Sequence, residues 1–249
     1  MNVRMRLTGG VLTGLVLLGS IGTSTASAAT VTCESQWAAW VAHPTVDTAR
    51  AVGYCEIDRR LADLATVRVR VQDARNLTSS DRSHMEQTID ATRTGLRHLR
   101  SEIAGDSTVA TLRPDLQAIV DDYRVYVLVI RQDWLTYAAD NELAAVRAFT
   151  AFDARVGDWI AKAKAAGYDT SVVEASRAAM EADVAQVKTA VTPLPASLLA
   201  LTPAQYDAGT AGPAMDRAAA TLRDELQMLA DARVKATAIV AAIRAYDAH

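Results

Sequence analysis

The chain has 249 residues and a formal net charge of −3, and half of its residues are hydrophobic. A mildly acidic chain has no bulk attraction for nucleic acid or for an anionic membrane surface, so we expect neither as a partner. Alanine makes up about a fifth of the residues. Because alanine is the strongest helix former, this composition favours an all-α fold.

The first 28 residues have the features of a secretory signal peptide. Arg4 and Arg6 precede an apolar stretch over 11–21, and Ala26-Ser27-Ala28 supplies the small residues that a signal peptidase requires. The apolar stretch is shorter than the roughly 20 residues of a transmembrane helix, although a retained N-terminal anchor is the alternative. We therefore expect a secreted or otherwise extracytoplasmic protein that starts near Ala29, has a charge of −3 − 2 = −5 and keeps no transmembrane segment after cleavage.

The segment 29–56 contains the two cysteines, Cys33 and Cys55. In an oxidising compartment an isolated pair of cysteines usually forms a disulfide, and two unpaired buried thiols are the alternative. Closing a loop of about 20 residues would stabilise the fold by about 3 kcal/mol. Trp37 and Trp40 lie between the cysteines on a predicted short helix that ends near Pro44.

Two long helices follow. The first is predicted over about 48–76, with these apolar residues on one face: Ile57, Leu61, Leu64 and Val71. Thr78 with Asp81 resembles a capping box and begins the second helix. Its apolar seam alternates spacings of four and three residues: Met85, Ile89, Thr92, Leu96, Leu99 and Ile103. Pro114 is predicted in the first turn of a third helix, where its missing N–H is harmless.

The third helix contains a stripe of large aromatic side chains. The run from Val125 to Ile130 taken alone would suit a buried strand, but the spacing of four and three continues through it and favours a helix. The aromatic members of this stripe are Tyr123, Tyr126, Trp134 and Tyr137. Such residues can stack on sugar rings or peptides, and they can equally supply bulk to a core of small residues. The shared face favours the core for the stripe, and the pair Trp37 and Trp40 is open to the same two interpretations.

The helical pattern continues to Ala166 and ends at Gly167. A fifth helix, capped by Asp169 or Thr170, has these residues inward: Val173, Met180, Val184, Val187 and Val191. The stretch 192–212 is rich in proline and glycine and predicts a linker, with one capped helical turn from Thr202 to Gln205. The last helix, 213–249, has a heptad seam that Arg233 interrupts: Met215, Ala219, Leu222, Leu226, Leu229, Ala236, Val240 and Ile243.

These elements predict an elongated, antiparallel, coiled-coil-like bundle of about six helices. The predicted organisation is a signal peptide at 1–28, an N-terminal segment with a disulfide at 29–56, a helical bundle at 57–191, a linker at 192–212 and a C-terminal heptad helix at 213–249 that packs on the bundle.

No motif for catalysis, a cofactor or a metal ion is recognisable in the sequence. It has no glycine-rich phosphate loop, serine nucleophile elbow, HExxH or CxxC, and no glutamate has a histidine three residues later. Several carboxylate pairs lie beside arginines within helices, among them Asp140/Glu142 and Asp224-Glu225. Such pairs are usually solvated faces with weak ion pairs, so we expect these carboxylates to be exposed and expect no catalytic residue, metal or cofactor.

Three segments resemble a known family: Leu77-Thr78-Ser79-Ser80-Asp81-Arg82, Asp122-Tyr123-Arg124-Val125-Tyr126-Val127-Leu128 and Leu201-Thr202-Pro203-Ala204-Gln205-Tyr206. From about Ile57 to its C-terminus the chain resembles actinobacterial secreted, coiled-coil-like helical proteins with no assigned function. The resemblance implies export and a helical fold, and it implies no catalytic residues. The cysteine pair is not a feature of that family.

The function that these observations favour is a secreted, non-enzymatic helical bundle that interacts with an unidentified protein or cell-envelope partner. A ligand- or glycan-binding module that uses the stripe from Tyr123 to Tyr137 is the first alternative, and an enzyme with an unrecognised site is the second. A homo-oligomer is compatible with the sequence.

Overall fold

The computed structural model describes residues 32–247, so the predicted signal peptide lies outside the described residues. This part of the chain forms nine α-helices and one π-helical turn and contains no strand, which confirms the all-α helical bundle but with more helices than the six that the periodicity predicts. The elements are α1 (Glu34–Ala42), α2 (Val46–Asp73), α3 (Ser79–Gly105), α4 (Val109–Asp121), the π-helical turn (Val125–Val129), α5 (Ile130–Ala165), α6 (Ser171–Val191), α7 (Leu194–Leu199), α8 (Pro203–Asp207) and α9 (Ala211–Asp247).

The described chain divides into two compact units, and neither is continuous in sequence. The N-terminal unit contains residues 32–140 together with Leu194–Ala219, and the C-terminal unit contains Asn141–Pro193 together with 220–247. The helices α5 and α9 therefore each contribute residues to both units.

Helices α2 and α3 run antiparallel in the N-terminal unit. Arg68 donates to both carboxylate oxygens of Asp90, at 3.0 and 3.1 Å, and Arg100 donates to Asp58 at 2.7 Å. Buried apolar side chains from α2, α3, α4 and the π-helical turn form one cluster, whose fully buried members include Ile57, Leu64, Met85, Ile89, Leu96, Ile103 and Leu112. The predicted seam of the second helix is confirmed, because all its members are buried except Thr92, which is half-buried.

The predicted disulfide between Cys33 and Cys55 is confirmed, and it ties the residue before α1 to the third turn of α2. The sequence separation of the two cysteines is 22 residues. The predicted short helix around Trp37 is α1, and Trp40 on it packs against the core cluster of the N-terminal unit.

Arg82, in the first turn of α3, satisfies the carbonyl groups at the end of α2. Helix α2 ends at Asp73 without a glycine cap. The Arg82 guanidinium donates to the backbone carbonyls of Val71, Gln72 and Ala74. Carbonyls at a helix end have no partner within the helix, so this one side chain does the work of a C-terminal cap.

The substitution Arg82→Met removes these donors and keeps much of the apolar stem. We expect the free energy of unfolding to fall by about 2 kcal/mol, because carbonyls near the core lose charge-assisted hydrogen bonds. Urea denaturation measures this change. Arg97→Met on the exposed side of α3 is the matched control and should stay within about 0.5 kcal/mol of wild type. Equal losses in the two variants would contradict the capping role of Arg82.

Helix α4 begins earlier than the sequence predicts. Its N-cap is Thr108, whose side chain accepts a hydrogen bond from the backbone N–H of Thr111. Pro114 consequently lies inside the helix and not in its first turn, which corrects the predicted boundary.

The chain is not one continuous helix between α4 and α5. Arg124 has a left-handed backbone, with φ of 42°, and the π-helical turn follows it directly. The helical interpretation of Val125 to Ile130 is confirmed, but α4 and α5 do not share a single helical register across this break. The spacing rule of four and three residues therefore cannot be carried across the break from Tyr123 to Tyr137.

The proline- and glycine-rich segment 192–212 contains two short helices, α7 and α8. The capping box of Thr202 and Gln205 is confirmed at the start of α8. Leu198 of α7 is buried in a second apolar cluster of the N-terminal unit, together with Leu128 and Met215. The buried Gln132 of α5 donates to the backbone carbonyls of Leu198 and Leu201, at 2.7 and 2.9 Å. The segment is thus held to α5 by packing and by hydrogen bonds.

The C-terminal unit consists of parts of α5 and α9 together with α6, which runs antiparallel to both. Arg177 of α6 donates to both carboxylate oxygens of Asp153 of α5, at 2.7 and 2.8 Å, and Lys235 of α9 pairs with Asp183 of α6. As predicted, α6 buries Val173, Met180, Val184, Val187 and Val191.

The register of α9 differs from the prediction. Its buried residues are Ala211, Met215, Ala218, Leu222, Glu225, Leu229, Ala232, Ala236, Ile239 and Ile243. Leu226 is 50% exposed and Arg233 is exposed, so the predicted seam through Leu226 and its interruption at Arg233 are wrong. In the predicted and in the observed register, the inward positions recur at alternating spacings of four and three residues. Because alanines occupy positions of both registers, the sequence hardly distinguishes them.

Candidate functional site

The six aromatic residues singled out in the sequence divide into an exposed set and a half-buried set. Trp37, Tyr126 and Trp134 are 46%, 36% and 46% exposed, and we call these three side chains the aromatic row. The other three, Trp40, Tyr123 and Tyr137, are half-buried and pack against the core cluster of the N-terminal unit. The expectation that the whole stripe is core is therefore wrong for Tyr126 and Trp134.

Tyr123 shows how closely the half-buried set packs. A Cβ atom added to Gly95 of α3 would lie 2.5 Å from the Tyr123 ring, so only glycine leaves room for the ring at this position. Burial raises the pKa of the Tyr123 hydroxyl. Tyr123 is thus a packing residue, whereas the aromatic row is presented to the solvent.

Trp37 is held by a carboxylate that also binds two arginines. Its indole N–H donates to Oε1 of Glu56 at 3.1 Å. Oε2 of the same carboxylate accepts from Arg59 at 2.6 Å and from Arg60 at 2.5 Å. Partial burial raises the pKa of Glu56, but the hydrogen bonds from Trp37, Arg60 and Arg59 outweigh it and hold this pKa below its usual value. Glu56 is therefore ionised at neutral pH and fixes the indole orientation.

The same two arginines lie over the ring of Tyr126. The guanidinium carbons of Arg59 and Arg60 are 5.1 and 5.2 Å from the ring centroid, a distance typical of cation–π contacts. The Tyr126 hydroxyl donates to Oδ2 of Asp63 at 2.7 Å. Burial and this hydrogen bond to Asp63 raise the pKa of Tyr126, so the hydroxyl stays protonated and keeps donating.

Trp134 completes the row. The Arg70 guanidinium lies 5.3 Å from the centroid of its ring, and Tyr137 meets the indole edge-on at 6.3 Å. Arg70 itself is exposed and makes no ion pair within residues 32–247. This end of the row consequently combines an exposed indole with an unneutralised positive charge.

Apart from Tyr137, the partners of the aromatic row described above belong to α2: Glu56, Arg59, Arg60, Asp63 and Arg70. At about 100° per residue these positions fall within roughly 100° of one another around the helix, so they share a face. From Glu56 to Arg70 the helix rises about 21 Å. The aromatic row is therefore a linear array of rings along one side of α2.

Buried carboxyl groups are the feature that sequence reasoning missed. Asp140, Glu142 and Glu225 were expected on solvated faces and are at most 6% exposed, which corrects that interpretation. Asp133 is 4% exposed as well. Asp140 accepts a hydrogen bond from the backbone N–H of Thr78, at 3.1 Å, beside the N-terminus of α3. The spacing of Glu225 in the sequence did indicate burial. It lies three residues after Leu222 and four before Leu229, so it continues the heptad pattern of buried residues.

The pKa values of two of these acids are strongly raised. Burial raises the pKa of Asp133 to about 8. Burial, with the nearby charge of Glu225, raises the pKa of Glu142 to about 8. Oδ2 of Asp133 and Oε2 of both Glu142 and Glu225 accept no hydrogen bond from the described part of the chain. These side chains are held in the core without the donors that normally accompany a buried carboxylate.

Neither a metal site nor a membrane-spanning helix is found in residues 32–247. No cluster of three or more histidine, cysteine, aspartate or glutamate side chains there could hold a metal ion. Each helix in that range is too short or too polar to cross a bilayer. A wide-open surface depression between α1 and α2 is lined by small and polar residues, among them Ser35, Ala39 and Thr48.

Comparison of the chain with protein-family models, with curated proteins and with solved structures finds no match in any of the three.

Proposed function

We propose that this protein is an exported, non-enzymatic interaction protein that binds a partner in the cell envelope or outside the cell through the aromatic row. The observation that carries the proposal is the simultaneous exposure and fixation of three large aromatic rings. Trp37, Tyr126 and Trp134 are at least a third exposed, yet each has a hydrogen bond or a cation–π contact to α2. Aromatic side chains fixed before binding lose little conformational entropy when a partner covers them.

The location is supported by the signal-like N-terminus and by the disulfide. Disulfides persist in oxidising compartments and are rare in the bacterial cytosol. The resemblance to actinobacterial secreted helical proteins agrees with this location and remains a prediction, as do the absence of enzymatic activity and any self-association.

Binding through the aromatic row is tested with the folded mature protein and isolated cell-envelope fractions. We expect the triple variant Trp37→Ala/Tyr126→Ala/Trp134→Ala to lose at least about tenfold in affinity, because aromatic anchors carry much of the energy of an interface. The control is Tyr168→Ala in the C-terminal unit, since Tyr168 is also exposed, at 53%, but lies outside the row. Equal binding by the triple variant and wild type, with both folded by circular dichroism, would refute this role of the row.

A glycan is the second candidate partner, and the linear arrangement of the rings favours it. Three aromatic faces along about 21 Å of α2 suit the stacking of successive sugar rings of an extended polysaccharide. Digesting the envelope fraction with protease or with glycosidases before the binding measurement separates the two classes. If the partner is a glycan, glycosidase treatment should abolish binding of the protein to the envelope fraction and protease treatment should leave it unchanged.

A further inference from the structure

Two glutamates occupy core positions on neighbouring helices of the C-terminal unit. Glu225 lies on the buried seam of α9 between Leu222 and Leu229, and Glu142 lies on the buried side of α5, four residues before Val146. Each is only 6% exposed. Both glutamates lie opposite the C-terminal end of α6, because Arg177 of α6 pairs with Asp153 of α5 and Asp183 of α6 pairs with Lys235 of α9. The charge of Glu225 contributes to the raised pKa of Glu142. The pair forms a polar layer in an otherwise apolar heptad core.

Within residues 32–247 neither glutamate of this layer forms an ion pair with a basic side chain. The antiparallel pairing of Arg177 with Asp153 places Lys188 of α6 level with Glu142, and Lys188 is exposed. The other basic side chains on these stretches, Arg147 of α5 and Arg223 of α9, are exposed as well. None of the three forms an ion pair with either glutamate in the described part of the chain.

The acidic neighbours differ from the pair in their surroundings. Asp224 of α9 is exposed. Asp140 lies two residues before Glu142 on α5, so the two residues are about 200° apart around the helix and lie on different faces of it. On α6 the residues at this level are the buried Val187 and Val191. Glu142 and Glu225 are therefore buried at a level where the buried side chains of α6 are apolar.

We propose that the pair Glu142 and Glu225 is a proton-binding site, occupied in the folded protein at neutral pH, and that loss of the proton at alkaline pH loosens α5 and α9 at this layer. Two ionised carboxylates in an apolar core repel each other and are both poorly solvated, whereas one bound proton removes a charge and supplies a donor. The inference is independent of the aromatic row, which lies in the N-terminal unit.

The direction of the pH dependence follows from linkage. The pKa of Glu142 is about 8 in the folded state, against 4.5 for the unperturbed side chain. Between these values the folded state holds a proton that the opened state releases, so the stabilisation is complete below about pH 4.5 and disappears as the pH rises through 8. For an opening that fully exposes Glu142, the equilibrium should shift towards the open state by about 10- to 50-fold between pH 6 and pH 8.

Native-state hydrogen exchange read by mass spectrometry tests the proposal. Protection factors, corrected for the intrinsic pH dependence of exchange, are compared at pH 6 and pH 8 for peptides that cover 143–150 and 222–230. Wild type should lose about tenfold or more in protection, and the variant Glu142→Gln/Glu225→Gln should change by less than about twofold, since an amide does not ionise. Asp224→Asn is the matched control for an exposed acid and Asp133→Asn for a buried acid outside the pair. Both should behave as wild type in these peptides.

A second measurement keeps the proposal testable if the double variant folds poorly. In wild-type protein labelled with 13C at glutamate side chains, one carboxyl resonance should titrate near pH 8, and this titration should be absent in Glu142→Gln. Titration of every glutamate below pH 6 would overturn the proposal. So would stabilisation at pH 8 by millimolar Ca²⁺ or Mg²⁺ that the double variant lacks, because the pair would then be a cation site.

Discussion

Removing the disulfide by the double substitution Cys33→Ser/Cys55→Ser should lower the free energy of unfolding by about 3 kcal/mol. The bond closes a loop with a sequence separation of 22 residues, and its loss restores conformational freedom mainly to the unfolded chain. Helix α1 buries none of its own residues, so the disulfide holds this segment together with the hydrogen bond from Trp37 to Glu56 and the packing of Trp40 against the core cluster.

Urea denaturation of the oxidised wild type, the double serine variant and the reduced wild type measures the effect. The reduced wild type is the matched control, because it loses the bond without a change of side chain. Both altered proteins should lose similar stability. A loss below about 1 kcal/mol in both would mean that the unfolded chain already keeps the two ends together.

The second prediction concerns two leucines of α9, Leu226 and Leu229, which the sequence periodicity places on the same buried seam. We expect their truncation to have very different effects on the free energy of unfolding. Leu229→Ala should lower the free energy of unfolding by about 3 kcal/mol, since Leu229 is fully buried and its truncation leaves a cavity. Leu226→Ala should cost less than about 1 kcal/mol, because Leu226 is half exposed.

The two variants control for each other, because each replaces a leucine by an alanine in the same helix. The change in helix propensity is therefore the same in both. Thermal or urea denaturation gives the comparison. A larger loss for Leu226→Ala than for Leu229→Ala would favour the register predicted from the sequence. It would also place Glu225 on the surface, so this pair of variants tests the geometry behind the proton site.

Much of the helical architecture could be predicted because it depends on local signals. The seam from Met85 to Ile103, the caps at Thr78 and Thr202 and the stop at Gly167 all follow from spacing and from the chemistry of helix ends. The disulfide followed from the presence of only two cysteines in a chain whose first 28 residues predict a signal peptide. These features need no knowledge of how the helices pack.

The register of α9 and the exposure of the aromatic row depend on packing, and the sequence did not determine them. In an alanine-rich helix two adjacent seams bury similar apolar areas, so periodicity alone cannot place Leu226 outside and Glu225 inside. The break at Arg124 is equally hidden, because a non-glycine residue with positive φ has no clear signature in a single sequence. Beyond that break the spacing of four and three no longer predicts which side chains face the core, and Tyr126 and Trp134 are exposed.

The discontinuity of the two units has a consequence for the order in which the protein is made. A nascent chain that has reached residue 193 contains neither unit complete, since the first still lacks Leu194–Ala219 and the second still lacks 220–247. The contacts that complete the two units therefore cannot form before residues 194–247 have been synthesised. C-terminal truncation at any point before α9 therefore removes part of both units at once.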